Sequence, residues 1–137
     1  MAVAALDSKL LTWIMLVSGG LTFTMIYAAI APQAALRSTF GQTLEGPLAE
    51  IVVRSWGALV ALVGALLIHG AFNAATRKTA LVAAATSKAF FVAMLLIYGG
   101  QLAGRQVMMP IVVDGIEVLV FLAFLLAGRR AVAPAPA

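Results

Sequence analysis

The chain has 137 residues, of which 64% are hydrophobic and 10% charged; this excludes a soluble globular or disordered protein and predicts a membrane protein. A net charge of +4 would suggest nucleic acid for a soluble protein, but here most basic residues flank apolar segments, so we predict no nucleic-acid partner. The sequence holds no cysteine, which excludes disulfides, thiolate catalysis and cysteine-ligated metals.

Four apolar segments have the length of about 20 residues that a membrane span needs. We predict spanning helices over residues 10–31, 48–72, 79–102 and 110–127, with boundaries set by Pro32, the Gly46-Pro47 pair, flanking charges and Pro110 in the first turn. The first segment is too long for a signal peptide and is interpreted as a permanent span. The expected fold is an all-α membrane protein, a four-transmembrane-helix bundle in one domain (1–130), followed by a disordered Ala/Pro tail (131–137).

A short amphipathic surface helix is predicted between the first two spans, over residues 32–41. Pro32 and Gly41 suit the two ends of a helix, and Leu36 and Phe40, four residues apart, share an apolar face. We expect this helix to lie along the membrane surface. The alternative is a lid over the mouth of the bundle.

Basic residues near the span ends predict the orientation of the chain. Arg37 and Arg105 lie on one side, and five basic residues lie on the side that holds both termini. The positive-inside rule therefore places both termini in the cytoplasm. The five residues are Lys9, Arg77, Lys78, Arg129 and Arg130.

Four charged residues, Arg54, Lys88, Asp114 and Glu117, lie inside apolar segments. A charge near the bilayer centre costs about 2.5–3.5 kcal/mol, so chains keep one only where it is paired or used. Counting along each helix places Arg54 in the same outer layer as the two acids, and lets Lys88 extend towards Glu117. We expect one network in which Arg54 contacts Asp114 or Glu117. The network either fixes helix register or binds a proton, a cation or a polar headgroup.

A stripe of mostly small residues along the second span is expected to face the bundle interior, because small residues let helices approach closely in lipid. Glu50 and Arg54 form an i, i+4 pair in the favourable order within it. The stripe consists of Glu50, Arg54, Gly57, Ala58, Ala61, Ala65 and Ile68.

Further candidates lie near the span ends. Trp56 is expected either to pack over the charged cluster or to face lipid. Tyr98 is expected to anchor the span at the interface, or to line a polar vestibule with Tyr27, Gln33 and Gln101. His69 is the single histidine and cannot provide bis-histidine haem ligation, and we predict no cofactor and no metal. The candidate ligand or proton site comprises Arg54, Lys88, Asp114, Glu117, Glu50, Trp56, Tyr98 and Gln101.

Several short motifs are similar to those of DoxX-like proteins, which are small four-helix proteins of the bacterial inner membrane. The motifs are Ala31-Pro32 before Leu36-Arg37, then Arg54-Ser55-Trp56-Gly57, Ser87-Lys88 and Asp114-Gly115. The resemblance covers residues 9–129 and implies a four-helix bundle with short connections. Some DoxX-like proteins are associated with quinone-linked oxidation, an activity that we do not carry over because the chain has no cofactor site of known pattern.

The expected function is that of a small inner-membrane protein without catalytic activity. It binds a small amphiphile, either a lipid or a quinone-like molecule, or acts as an accessory subunit of a membrane complex. A second hypothesis is a proton-coupled small-molecule carrier that uses Asp114 or Glu117, and a third is a membrane-embedded acid-base isomerase or hydrolase for a lipid-like substrate. The expected partners are membrane lipids, complex subunits or a second copy of the chain. A second copy is expected because a chain of 14.2 kDa encloses little volume by itself.

Overall fold

The computed structural model describes residues 2–102 and 104–132, with side-chain environments over 9–102, 104 and 106–129. The helices in chain order are α1 (Ala2–Phe23), α2 (Ile26–Ile30), α3 (Pro32–Phe40), α4 (Pro47–Phe72), α5 (Ala74–Tyr98) and α6 (Arg105–Val132). One 3₁₀ turn, Gly99–Gln101, follows α5. No strand occurs within the described ranges, in agreement with the predicted all-α fold.

Four stretches of helix are long and apolar enough to cross a membrane, and they match the four predicted spans to within five residues at each boundary. Helix α4 packs against α1 and α5, and α5 packs against α6, whereas α1 and α6 touch only sparsely. Space therefore remains between the α1–α4 pair and α6. The four stretches are Lys9–Ile30, Pro47–Phe72, Ala74–Gln101 and Gln106–Arg129.

The first span is interrupted at Thr24 and Met25, where α1 gives way to α2. The Thr24 hydroxyl donates to the Leu21 carbonyl at 2.5 Å. The Thr24 amide lies 3.2 Å from the carbonyl oxygens of both Gly20 and Leu21. Such short-range bonds tighten a helix towards 3₁₀ geometry and bend it. The prediction of one uninterrupted first helix is wrong at this point.

Helix α3 is the helix that the sequence predicted between the first two spans. It begins at Pro32, whose missing N–H is tolerated in a first turn, and it ends before Gly41, whose φ of 72° is left-handed. Leu36 is buried in a cluster with Val53 of α4, and Phe40 packs against the same cluster. The apolar side of α3 therefore faces the other helices. Its position at a membrane surface stays a prediction.

Two glycines bring α1 and α4 into backbone contact. A Cβ atom added at Gly64 would lie 2.4 Å from the Phe23 amide nitrogen and 2.7 Å from the Gly19 carbonyl oxygen. A Cβ atom added at Gly19 would lie 2.9 Å from the Gly64 carbonyl oxygen, so both glycines are needed for the close approach of the two backbones. Gly20, the neighbour of Gly19, has no atom within 4 Å of the added Cβ position.

The buried face of α4 is rotated away from the stripe that the sequence predicted. Arg54 and Ala58 are exposed, so the prediction that they face the interior is wrong. The predicted members Gly57 and Ala61 are buried as expected, but the buried face continues over Gly64 and Gly70, which the stripe omitted. The predicted members Glu50, Ala65 and Ile68 are half-buried. The buried residues of α4 are Val53, Gly57, Ala61, Gly64, Leu67, Gly70 and Ala71.

Helix α6 begins at Arg105, not at Pro110, which the sequence analysis placed in its first turn. Pro110 is instead the sixth residue of α6, where it cannot donate a backbone bond to the carbonyl of Gln106. The helix continues to Val132, two residues into the predicted tail. The remainder of that tail, 133–137, lies outside the described residues.

The larger of the two apolar core clusters lies in one half of the molecule. The largest fully buried side chains are Met15 of α1, Leu67 of α4 and Phe121 of α6, and all three belong to one core cluster. This cluster lies in the half that contains the α4–α5 connection. The half nearer α3 contains a cavity.

Candidate functional site

An ion-paired lysine lies at the centre of the site. The Lys88 ammonium nitrogen is 2.7 Å from Asp114 Oδ1 and 2.6 Å from Glu117 Oε2. Asp114 and Glu117 share a face of α6 because they are three residues apart, and α5 packs against that face. The prediction that Lys88 reaches Glu117 is confirmed. The side chains of Lys88, Asp114 and Glu117 are 10%, 17% and 14% exposed, so the cluster is largely buried.

The contacts of Lys88 with the two acids differ in kind. The contact with Asp114 has the geometry of a hydrogen bond. Glu117 Oε2 is close to the ammonium but has no aligned hydrogen-bond donor, and the atom is buried. Its contact with Lys88 is therefore electrostatic, and the oxygen retains hydrogen-bonding capacity.

The cluster forms part of the wall of a cavity of about 870 Å³ in the half of the molecule nearer α3. Helices α1, α3, α4, α5 and α6 all contribute to this wall, which is mostly apolar. Lys88 is the one basic residue among the described residues that line the cavity, against two acids. The apolar lining residues are Leu21, Met25, Trp56, Leu59, Val60, Val63, Phe90, Phe91, Met94, Met109, Pro110 and Val113.

Three aromatic rings close the end of the cavity that α3 covers. Trp56 of α4 and Phe91 of α5 lie 6.0 Å apart between ring centroids and both line the cavity. Phe40 of α3 packs on them at 5.9 and 6.4 Å. Phe91 follows Lys88 by three residues and so lies about one helical turn beyond it on a similar face. Trp56 is half-buried and packs on aromatic rings of α3 and α5, and its packing over the charged cluster stays a prediction.

Two hydroxyl groups on α1 are buried without a hydrogen-bond partner, Ser18 Oγ and Thr22 Oγ1. Both residues are at least 94% buried, and Thr22 lines the cavity. A buried hydroxyl without a partner is costly, by about 1–3 kcal/mol. Neither residue was among the site candidates predicted from the sequence. The available signal was two hydroxyl residues four apart on one face of an apolar span.

Arg54 does not join the Lys88 cluster. Its Nε donates to Glu50 Oε2 at 3.0 Å, and its Nη1 donates to the carbonyls of Ala29 and Ile30 at 2.6 and 3.2 Å. The prediction that Arg54 contacts Asp114 or Glu117 is therefore wrong. The predicted Glu50–Arg54 pair is confirmed. The exposed carbonyls at the end of α2 attract Arg54 because the following Pro32 begins a new helix.

Glu50 also joins α4 to the region around α3. Gln33 Nε2 donates to Glu50 Oε1 at 3.2 Å and to the Leu44 carbonyl at 2.6 Å. The charged residues among the candidates thus form two clusters, one around Arg54 at the α2–α3 junction and one around Lys88 in the cavity. Arg54 stabilises the junction in this arrangement and does not line the cavity.

The remaining candidates do not line the cavity. Tyr98 is 74% exposed and Gln101 is exposed, which fits the interpretation of solvated or interfacial residues at a span end. Tyr27 is also exposed. His69 is exposed, and its Nε2 lies 3.5 Å from the Asn73 side-chain nitrogen.

A second cavity, of about 510 Å³, lies between α5 and α6 at the opposite end of the molecule. Arg77, Lys78 and Arg129 line it, which matches the predicted concentration of basic residues on that side. Arg77 also donates to the carbonyls of Gly70 and Ala71, at 3.2 and 2.8 Å, near the end of α4.

Comparisons of this chain with protein-family models, curated proteins and solved structures find no match. The similarity to DoxX-like proteins therefore stays a prediction.

Proposed function

We propose that this protein is a four-helix protein of the bacterial inner membrane that binds a small amphiphile in the larger cavity and has no catalytic activity of its own. The observation that carries the proposal is the combination of a large apolar cavity with one polar cluster, Lys88, Asp114 and Glu117, in its wall. Small-molecule sites combine mostly apolar walls with a few placed polar groups. A headgroup would contact the cluster, and a tail would occupy the apolar space.

The dimensions of the cavity agree with such a ligand. A volume of about 870 Å³ is within the range of about 300–1,000 Å³ that is usual for ligand sites. Three of the lining residues, Leu59 of α4, Phe90 of α5 and Met109 of α6, are more than 60% exposed on the outside of the helices. In a bilayer these positions contact lipid tails, so an amphiphile can enter sideways without crossing water.

Helix α3 fits the role of a roof over this site. Phe40 packs on Trp56 and Phe91, and Thr39 lines the cavity. This arrangement favours the lid alternative for α3, since a helix lying only on a membrane surface would not contact the interior of the bundle. A roof at this end leaves the lateral side as the route of entry.

A proton-coupled carrier is the second candidate function. It is favoured by the excess of one carboxylate over the single lysine in the cavity wall. A carboxylate without its own cation in an apolar site is a group that membrane transporters use for proton coupling. Proton flux driven by a pH gradient in proteoliposomes, abolished by Glu117→Gln, tests this candidate.

Filling the cavity should abolish amphiphile binding. Val60 lines the cavity, so Val60→Trp should occupy the space of the tail, whereas Leu62→Trp on the same helix adds the same side chain at an exposed position outside it. Native mass spectrometry from mild detergent should show bound amphiphile on the native protein and on Leu62→Trp, but not on Val60→Trp. Equal occupancy in both tryptophan variants would contradict the proposal. The same spectra report subunit number and so test a homo-oligomer.

The proposed orientation has a separate test, which the absence of cysteine makes simple. Thr43, in the α3–α4 connection, and Ala75, in the first turn of α5, are exposed and lie on opposite sides of the predicted membrane. A membrane-impermeant thiol reagent should label Thr43→Cys in intact cells and label Ala75→Cys only after permeabilisation. The reverse pattern would place both termini outside the cytoplasm.

A further inference from the structure

We propose that the cavity selects amphiphiles that carry a positive charge, with the cationic headgroup placed among Glu117, Asp114 and the Thr22 hydroxyl. This inference rests on the proposed function and adds the chemical class of the ligand. Three features of the cavity wall support it: its charge, its buried oxygen atoms that accept no hydrogen bond, and its aromatic rings.

The first feature is the charge of the polar cluster. Lys88 is shared between two carboxylates at 2.7 and 2.6 Å, so the three groups together have a formal charge of −1. No other basic side chain among the described lining residues balances it; α1, α3 and α4 contribute no ionisable group to the wall. An uncompensated charge in an apolar site is costly, and a bound cation supplies the missing partner. An anionic headgroup would instead double the excess.

The second feature is the set of buried polar atoms that lack a hydrogen-bond partner. Thr22 Oγ1 lacks one, whereas Glu117 Oε2 is ion-paired with Lys88 at 2.6 Å but accepts no aligned hydrogen bond; the two residues line the cavity from different helices, α1 and α6. Thr22 is 94% buried, so water from the membrane surface does not satisfy its hydroxyl by simple exposure. Both oxygens accept hydrogen bonds, as a protonated amine headgroup requires.

The third feature is the pair of aromatic rings in the same wall. Trp56 and Phe91 line the cavity with their ring centroids 6.0 Å apart, and Phe91 is about one helical turn from Lys88. Aromatic faces attract organic cations through their quadrupole, most strongly when water is excluded. Rings that flank an acidic cluster therefore favour alkylated cations, which carry apolar substituents around the charge.

The test compares two ions of the same shape and opposite charge, tetraphenylphosphonium and tetraphenylborate. Binding is measured with protein in nanodiscs of zwitterionic lipid, and the binding to empty nanodiscs is subtracted. The native protein should bind the phosphonium with higher affinity than the borate at this cavity, and Val60→Trp should remove that binding. Borate that remains bound to Val60→Trp is assigned to the basic cavity near Arg77 and Arg129.

Two substitutions test the contacts of the cation. Glu117→Gln removes the excess charge with little change of shape, and it should weaken phosphonium binding by about tenfold or more, which corresponds to about 1.4 kcal/mol. Glu45→Gln is the matched control, since it changes net charge equally at an exposed loop residue. Thr22→Val should weaken binding of a primary alkylammonium by about threefold to tenfold, with a smaller effect on the phosphonium, which has no N–H.

The outcomes separate this inference from the proposed function. Equal affinity for the two ions in the cavity, or phosphonium binding unchanged by Glu117→Gln, would overturn the charge selectivity and leave amphiphile binding intact. If Glu117→Gln does not fold, Asp114→Asn gives the same change of charge and is judged by the same criterion. If Val60→Trp binds every amphiphile as Leu62→Trp does, the proposed function itself is wrong.

Discussion

Replacing Gly64 with alanine is expected to destabilise the protein by about 1–3 kcal/mol, the usual cost of forcing extra volume into a packed contact. The new Cβ atom would lie 2.4 Å from the Phe23 amide nitrogen and 2.8 Å from its Cα atom. These are backbone atoms of α1, which no change of rotamer can move. The helices α1 and α4 would have to separate along their whole crossing, and thermal unfolding in detergent should show a lower midpoint.

Gly20→Ala is the matched control for this effect. Its Cβ atom would meet nothing within 4 Å, although Gly20 is on the same pair of packed helices. Alanine is favoured over glycine inside a helix by up to about 1 kcal/mol, so Gly20→Ala should be neutral or stabilising. A Gly64→Ala midpoint equal to that of Gly20→Ala would show that the α1–α4 contact is looser than the structure describes.

The four long helices could be predicted because their signal is local. A run of about 20 apolar residues identifies a membrane-crossing helix without reference to any partner. Proline and glycine likewise indicated the start of α4 at Pro47 and both ends of α3, since their backbone preferences are intrinsic. The break at Thr24 was missed because a hydroxyl bonding its own helix leaves no distinct pattern in hydropathy.

The orientation of α4 could not be predicted, because neighbouring helices decide it. Alanines and glycines occur on several faces of α4, so the stripe through Ala58 and Ala65 was as plausible as the observed face through Gly64 and Gly70. The contact of Arg54 was mistaken for a related reason. Counting along helices gives the depth of a charge but not its direction, and the free carbonyls of α2 exist only because that helix ends there.

The Lys88–Glu117 contact could be predicted, whereas the Lys88–Asp114 hydrogen bond and the cavity beside them were not. Buried charges require partners, so the few acids available at the right depth limited the choice for Lys88. A cavity depends on what the helices fail to fill, and no residue type encodes it. Thr22 shows the difference, since its unpartnered hydroxyl is of interest only because the residue lies in the cavity wall.

Replacing Lys88 with methionine is expected to destabilise the protein by about 3–5 kcal/mol, because it leaves buried carboxylates without a cation. Both acids lose their contacts at once, at 2.7 and 2.6 Å. The triple variant with Asp114→Asn and Glu117→Gln should recover most of this loss, since amides carry no charge. Thermal or denaturant unfolding in detergent measures both values.

Arg54→Met is the matched control, because it also removes a cation from an apolar segment. The Arg54 side chain is 48% exposed and its partner Glu50 is 37% exposed, so Arg54→Met should destabilise the protein less than Lys88→Met, which leaves two largely buried carboxylates without a cation. Adding Asp114→Asn to Arg54→Met should give a purely additive effect, since the two residues belong to different clusters. Recovery in that double variant would place Arg54 back in the cavity network and contradict the observed pairing.

The same variant distinguishes a binding site from a device that only fixes helix register. Lys88→Met makes the cavity wall more negative, from a formal charge of −1 to −2. A cationic ligand should therefore bind this variant at least as tightly as the native protein. Because a ligand stabilises the state that binds it, tetraphenylphosphonium should raise the unfolding midpoint of Lys88→Met more than that of the native protein. It should not raise that of the triple variant, whose wall is uncharged. If the phosphonium raised all three midpoints equally, the cluster would serve helix packing and the cavity would bind the ion through its apolar walls alone.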